Sequence, residues 1–228
     1  MRLSNRPMPR SDRQSRPALA AAALVLLLGP GPARAEPARP SAPVAVLLAE
    51  LASMPGLEAR FREEKRIALL EAPLVSEGTL HFAPPGRLAR HTLTPFRASL
   101  VVADGSLRFG DETGAESLEV EANPTVRLFT EGFLAIFAGD RTALERMYTM
   151  RFQGLPAGDW ELRLTPREPR LGRIVREIAV RGRGPVLSEM RVTEVSGDET
   201  VTTFTEVDTA RRYTDAEMRR VFAIPGER

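Results

Sequence analysis

The 228-residue sequence has no cysteine, which excludes disulfide bonds, thiolate metal sites, cysteine nucleophiles and a lipid attached through an N-terminal cysteine. It has only two histidines and one lysine, so general bases, imidazole ligands and Schiff-base chemistry are scarce. Aromatic residues make up 6% of the chain, which disfavours an aromatic platform for nucleic acid. A Gly-rich phosphate loop, a Gly-x-Ser-x-Gly elbow and a His-Glu-x-x-His zinc motif are also missing.

These absences favour a protein that is not an enzyme and that holds no cofactor and no metal. His81 and His91 fall on adjacent predicted strands, but a metal ion shared between them would need a third ligand. Side chains for a packed core are plentiful, because 43% of the residues are hydrophobic and 27% are charged. The length fits one domain or at most two.

The first 35 residues have the pattern of a secretory signal peptide. Five arginines precede an apolar run, Ala18–Leu28, and Ala33-Arg34-Ala35 supplies the small residues that a signal peptidase reads, so we expect cleavage after Ala35. Removing this segment, which carries six Arg and one Asp, changes the formal net charge from +2 to −3. The remaining chain offers no electrostatic case for nucleic acid. Export without cysteine or an anchor predicts a periplasmic protein, with secretion beyond the periplasm left open.

Residues 36–43 are rich in proline and predict a flexible leader, and residues 44–228 predict one domain. Apolar residues at helical spacing predict a helix over Val44–Ser53, with Ser41 as a candidate N-cap. Period-2 alternation then predicts a long strand over Leu57–Leu69. Further short strands are predicted over residues 76–83, 88–93, 98–103, 107–110, 117–121, 151–153, 160–164, 174–181, 186–195 and 201–207.

An unusually apolar helical segment, Thr125–Tyr148, interrupts the strands. Asp140 is placed to cap a short second helix within this segment, and Thr214 with Glu217 has the spacing of a capping box. Asp104-Gly105 is typical of a type I′ hairpin turn. The order of elements predicts an α+β fold, in which helices lie against one face of a strongly curved antiparallel sheet.

Several sequence strings are more specific than this pattern. They are Phe61-Arg-Glu-Glu-Lys-Arg, the Gly78-containing segment Pro73–Pro85, Thr94-Pro95, Val101–Gly105 and Trp160–Pro166. In this order and spacing they resemble the outer-membrane lipoprotein carrier family of LolA-like periplasmic proteins, over roughly residues 44–225. The resemblance implies an incomplete β-barrel covered by helices, with an apolar cavity that holds acyl chains.

One position departs from the family pattern. Typical carriers have an Arg that holds the lid by hydrogen bonds, and the matching position here is Pro84. Arg87 or Arg90 could take its place. This departure makes lipoprotein itself less secure as the cargo than an acyl chain in general.

If the resemblance holds, one face of the strands should line the cavity, and the apolar insert should form a lid. The candidate lining residues are Phe61, Leu80, Phe82, Leu100, Val102, Leu118, Val120, Trp160, Leu162 and Leu164. The candidate lid residues are Phe129, Phe133, Leu134, Ile136 and Phe137. The alternative is that all of them pack against one another as ordinary core. Gly132 and Gly139 lower helix stability, which suits a segment that moves.

The sequence thus predicts a monomeric periplasmic carrier, or chaperone, that binds the acyl chains of a lipoprotein or another lipid. It would pass this cargo from an inner-membrane donor protein to an outer-membrane acceptor protein. Two alternatives stay open: a lipid-binding sensor or accessory domain of an envelope complex, and an envelope hydrolase with an unrecognised active site.

Overall fold

The computed structural model describes residues 42–111 and 113–224. The predicted signal peptide and Ser41 lie outside this range, as does most of the predicted leader. The last two leader residues are already helical, because helix α1 spans Ala42–Ala52. Its buried side chains are the four predicted ones, Val44, Leu47, Leu48 and Leu51, and the helix ends before Pro55.

The other helices are α2 (Pro124–Phe137), α3 (Arg141–Met147), the four-residue α4 (Pro169–Gly172) and α5 (Asp215–Val221). The two predicted caps that lie within the described residues are confirmed. The Asp140 side chain accepts a hydrogen bond from the backbone N–H of Ala143, and Thr214 forms a reciprocal capping box with Glu217. Helix α4 and a 3₁₀ turn at Pro156–Gly158 were not predicted, because such short elements bury too few side chains to leave a period.

Eleven strands form the sheet. They are β1 (Leu57–Arg66), β2 (Leu74–Ala83), β3 (Arg87–Thr94), β4 (Ala98–Ala103), β5 (Ser106–Gly110), β6 (Ala115–Glu119), β7 (Tyr148–Gly154), β8 (Asp159–Pro166), β9 (Val175–Arg183), β10 (Val186–Glu194) and β11 (Glu199–Asp208). Each predicted strand is present. Strand β1 ends three residues earlier than predicted, because Ile67–Leu70 forms a turn that leaves Leu69 93% exposed. Asp104 and Gly105 both have positive φ, as the predicted hairpin turn requires.

All strand pairs are antiparallel, and the sheet order is β6-β5-β4-β3-β2-β1-β11-β10-β9-β8-β7. Strands β6 and β7 are the two free edges, so the sheet does not close. Helices α2 and α3 connect these two edge strands in sequence. The predicted α+β fold, an incomplete barrel covered by helices, is confirmed.

The register assigns side chains to two faces. Phe61, Leu80, Leu100 and Phe204 share the inner face, which together with helices α1 to α3 encloses the main hydrophobic core. A second, smaller core lies on the outer face of β2, β3 and β4. There the segment after β11 covers Ala83, Ala89, Val101 and Ala103 with Tyr213, Phe222 and Ile224.

Candidate functional site: an apolar cavity under helix α2

A cavity of about 320 Å³ lies between helix α2 and the inner face of the sheet. This volume is within the usual range for small-molecule pockets, about 300–1,000 Å³. Its lining residues are Phe61, Glu63, Leu80, Leu88, Arg90, Leu100, Val102, Leu107, Phe129, Thr130, Phe133, Phe137, Met190, Thr202 and Phe204. Most of the wall is apolar, and the four polar side chains belong to two threonines and one pair of opposite charges.

Helix α2 presents a row of phenylalanines to the cavity. Phe129, Phe133 and Phe137 are spaced by four residues, so they follow one face of the helix. Phe137 is fixed in the core, since its ring centroid lies 6.2 Å from that of Phe82 and 6.4 Å from that of Phe204. Phe129 and Phe133 are only partly buried. The helix is therefore anchored at its C-terminal end, and its middle covers the cavity.

The ten candidate lining residues divide into two groups. All lie on the inner face or, for Val120, just beyond the end of β6, but only Phe61, Leu80, Leu100 and Val102 line the cavity. The other group is Phe82, Leu118, Val120, Trp160, Leu162 and Leu164. Of these, Leu118 is 39% exposed on edge strand β6, and the others are packed into protein. Trp160, Leu162 and Leu164 of β8 do not reach the cavity because they belong to the main hydrophobic core.

The five candidate lid residues also divide. Phe129, Phe133 and Phe137 line the cavity, whereas Ile136 is fully buried in the core and Leu134 is packed beside it. The two glycines have a packing role in addition to their conformational freedom. A Cβ on Gly132 would collide with the Tyr148 hydroxyl, and one on Gly139, where φ is +59°, would collide with the Leu48 carbonyl of α1. Their presence is therefore no independent sign of a mobile lid.

A salt bridge between Glu63 and Arg90 lies in the wall of this mostly apolar cavity. Arg90 Nη2 donates to Glu63 Oε1 at 3.0 Å and to Ser76 Oγ at 3.2 Å, and Arg90 Nη1 donates to Thr92 Oγ1 at 2.9 Å. The second carboxylate oxygen of Glu63 accepts from the Thr202 hydroxyl at 3.1 Å. The side chains of Glu63 and Arg90 are 25% and 28% exposed, so water screens this pair less than an exposed one. The network crosses strands β1, β2, β3 and β11.

Two local features put the Arg90 guanidinium in this position. Its central carbon lies 4.2 Å from the centroid of the Phe61 ring, a cation–π contact. A Cβ on Gly78, which pairs with Phe61 across β1 and β2, would collide with the carbonyl oxygen of His91, so the glycine lets the backbone of β3 next to Arg90 approach closely. Burial lowers the pKa of Arg90 from its ordinary value and the Glu63 carboxylate opposes this shift, but the guanidinium stays charged.

Arg87 and Arg90, the two arginines considered as a lid latch, make no hydrogen bond to helix α2 among the described residues. Arg87 Nη2 donates to Asp104 on the β4–β5 turn at 2.8 Å, and the hydrogen bonds of Arg90 go to strand side chains. Charged residues along a strand are typical of a solvated face, but Glu63 lies on the inner face, where it pairs with Arg90. Glu64 pairs with Arg62 at 2.7 Å at the surface.

His81 and His91 lie on the outer face, away from the cavity, with ring centroids 5.7 Å apart. His81 Nδ1 is 3.1 Å from the Tyr213 hydroxyl, and His81 Nε2 is 3.1 Å from Thr79 Oγ1. His91 contacts Ser99 Oγ through Nδ1 and the Val221 carbonyl through Nε2, both at 2.8 Å. Among the described residues no group of three or more His, Asp or Glu side chains could hold a metal ion. Both rings instead help to hold the C-terminal segment on the sheet.

Sequence reasoning missed several wall residues. They are Glu63, Leu88, Arg90, Leu107, Thr130, Met190, Thr202 and Phe204. A signal existed for some of them, because the period-2 pattern that puts Phe61 inside also puts Glu63 inside. For β10 and β11 the wall position follows from the pairing of β1 with β11, which joins residues more than 130 positions apart.

In the described ranges no helix is long and apolar enough to cross a bilayer. No curated protein matches the chain significantly. Among solved structures, a chain of the Pseudomonas aeruginosa MucA/MucB complex shares 14% identity at a TM-score of 0.48, with 78% of this chain covered. The alignment spans only 60% of that chain.

Two shorter structures are covered almost fully. The LolA superfamily protein NE2245 from Nitrosomonas europaea has 9% identity and a TM-score of 0.40, with coverage of 78% of this chain and 96% of its own. Mycobacterium tuberculosis lipoprotein LppX has 13% identity and a TM-score of 0.40, with coverage of 74% and 98%. The family described as outer membrane lipoprotein carrier protein LolA-like matches residues 36–222. With most of its length matched, this chain belongs to the LolA-like family of outer membrane lipoprotein carrier proteins.

Proposed function

We propose that this protein is a periplasmic carrier that binds an acyl chain in the cavity under helix α2 and passes it between membrane-bound partners. The observation that carries the proposal is the cavity itself, an apolar space between the sheet and a row of phenylalanines on one helix. Membership of the LolA-like family supports it. The N-terminal residues would act as the export signal, and the domain would begin near residue 44.

The energetics of an apolar ligand explain why such a carrier needs a receiving partner. Burial of an acyl methylene gains about 0.8 kcal/mol, so a chain of about fourteen carbons gains on the order of 11 kcal/mol before costs. Release into water would be slow. Transfer to another apolar site is nearly neutral, so we expect hand-off at a donor or acceptor protein.

Helix α2 is the element placed to open the cavity. Its C-terminal end is held by the contacts of Phe137 with Phe82 and Phe204, whereas the two partly buried phenylalanines before it cover the space. Movement of the N-terminal part of α2 would expose the cavity and keep most of the core intact. Such gating by a covering segment is a common way to admit a ligand.

The test of binding compares two Phe→Asp variants. Phe133→Asp puts a carboxylate on the cavity wall and should abolish uptake of a fluorescent acyl ester, because a buried unpaired charge is costly. Phe96→Asp is the matched control, since Phe96 is 81% exposed on the β3–β4 turn. Circular dichroism checks that both variants fold. Uptake that survives in folded Phe133→Asp would refute the cavity as the acyl site.

A transfer assay tests the carrier role separately. Protein isolated from the periplasm of a Gram-negative host should carry acyl lipid in native mass spectrometry. It should also speed the movement of that lipid between donor and acceptor vesicles. Bound lipid without transfer would support a lipid-binding sensor or accessory domain instead.

A further inference from the structure

The cavity contains one feature that an acyl carrier does not need, namely the partly buried salt bridge between Glu63 and Arg90. Burying two charges costs several kcal/mol per ion, and a well-packed apolar pair in their place is often as stable. Here three side chains hydrogen-bond to the pair, namely Ser76 of β2, Thr92 of β3 and Thr202 of β11. The pair is thus held in a fixed geometry against the ligand space.

The two charges occupy one side of the cavity. Glu63 is level with Ser76 and Thr202 in the register, two residues nearer the β1–β2 turn than Phe61. Leu88, Val102 and Leu107 are paired across β3, β4 and β5 at the end of the sheet that is farther from the β1–β2 turn. A bound chain would therefore have its hydrocarbon part among the leucines and phenylalanines and its polar end at the charged pair.

We propose that the Glu63–Arg90 pair sets the headgroup preference of the cavity, admitting the uncharged ester or amide linkage of an acyl chain and rejecting a free fatty-acid carboxylate. This inference rests on the proposed function, because it concerns the ligand of the same cavity. The ligand would then be an acyl chain that is still joined by an ester or amide bond to the rest of a lipid or lipoprotein.

The charge balance of the pair is the physical reason. Arginine has five N–H donors, and three hydrogen bonds from Arg90 reach Glu63, Ser76 and Thr92. An ester carbonyl can accept from this guanidinium without bringing charge into the cavity. A carboxylate would be attracted by Arg90 and repelled by Glu63, whose oxygen is 3.0 Å from Arg90 Nη2. The repulsion from Glu63 largely cancels the attraction to Arg90. Nothing offsets the free energy needed to dehydrate the carboxylate, so the acid should bind more weakly than the ester.

The experiment compares two probes that have the same hydrocarbon chain but different headgroups. cis-Parinaric acid and its methyl ester are fluorescent probes with the same hydrocarbon chain, and at about pH 8 the acid is fully ionised. The wild-type protein should bind the ester at least about tenfold more tightly than the acid. Glu63→Gln removes the repulsion and leaves the Arg90 charge uncompensated. The ratio of the affinity for the ester to the affinity for the acid should therefore fall by about tenfold or more.

Two further variants separate this effect from a structural one. Glu64→Gln is the matched control, because Glu64 is the next residue on the same strand and points to the opposite, solvated face; its ratio should equal that of the wild type. The double variant Glu63→Gln/Arg90→Gln restores neutrality and should prefer the ester again. A merely structural pair would change stability but not this ratio.

The outcomes are distinct. Equal affinity of the wild type for acid and ester, or a ratio unchanged in Glu63→Gln, would overturn the inference and leave the carrier proposal intact. Binding of neither probe would overturn both. Should Glu63→Gln fail to fold, Arg90→Gln takes its place, because it leaves the Glu63 charge uncompensated and should raise the preference for the ester above that of the wild type; an unchanged preference would overturn the inference.

Discussion

Acidification should destabilise this protein through His81, a buried histidine on the outer face of the sheet. The Tyr213 hydroxyl donates its proton to the Leu57 carbonyl at 2.8 Å, so His81 Nδ1 must be the donor in its contact with Tyr213. With its proton on Nδ1, the neutral ring satisfies both contacts, because Nε2 can accept from the Thr79 hydroxyl.

The surroundings of His81 oppose protonation. Burial, followed by the nearby His91 and Arg211, lowers the pKa of His81 from 6.5 to about 4. The carboxylate of Glu58, 3.9 Å from Nδ1, is the one facing group that favours the charged form among those in contact with the ring in the described structure. The unfolded chain binds a proton here at higher pH than the folded chain does. Stability is therefore complete above about pH 6.5 and falls as the pH decreases toward 4.

The size of the effect follows from these two pKa values. At about pH 5 the unfolded state is almost fully protonated at this residue and the folded state is not, which costs about 2 kcal/mol relative to about pH 7.5. Urea unfolding, followed by the fluorescence of the buried Trp160, measures it. The comparison is with His81→Asn, which keeps a donor near the position of Nδ1 and cannot titrate.

Between about pH 7.5 and about pH 5 the wild type should lose about 2 kcal/mol more than His81→Asn. Other groups titrate in both proteins and cancel in this difference. Equal losses in the two proteins would refute the assignment of a buried neutral His81.

Two further changes test the packing around the site and the C-terminal segment. Gly139→Ala should lower the free energy of unfolding by more than about 1 kcal/mol, because φ is +59° and the new Cβ meets helix α1. In urea unfolding, Gly114→Ala, with no neighbouring atom within 4 Å, should change it by less than about 0.5 kcal/mol. Thr214→Ala should cost about 1 kcal/mol by removing the capping box of α5, and Thr214→Ser should restore it; equal stability of all three proteins would contradict the role of the cap.

Local patterns were sufficient for the strands and the longer helices of this fold. A 3.6-residue period identifies α1, Asp140 and Thr214 mark helix starts, and Asp104-Gly105 supplies the two positive φ angles of a hairpin. Each depends on residues a few positions apart, so each can be read from a short window. The motif series was enough to indicate the family.

The placement of Val101 could not be read in this way. Alternation assigns it to the face opposite Leu100 and Val102, where a half-buried sheet would meet water. In the structure it is fully buried beneath Phe222 and Ile224. Its partners lie more than a hundred residues later, and no local pattern reports that a distant segment covers this face.

Sequence patterns were enough to find all eleven strands, the helices longer than one turn and the family that the chain resembles. The tertiary structure decided which inner-face residues meet the cavity and which meet protein, because that depends on where α2 lies. It also brought Glu63 of β1 and Arg90 of β3 together across Phe61 and Gly78. Charged residues on strands are typical of solvated faces. Glu63 and Arg90 line the cavity because of the pairing and the curvature of the sheet.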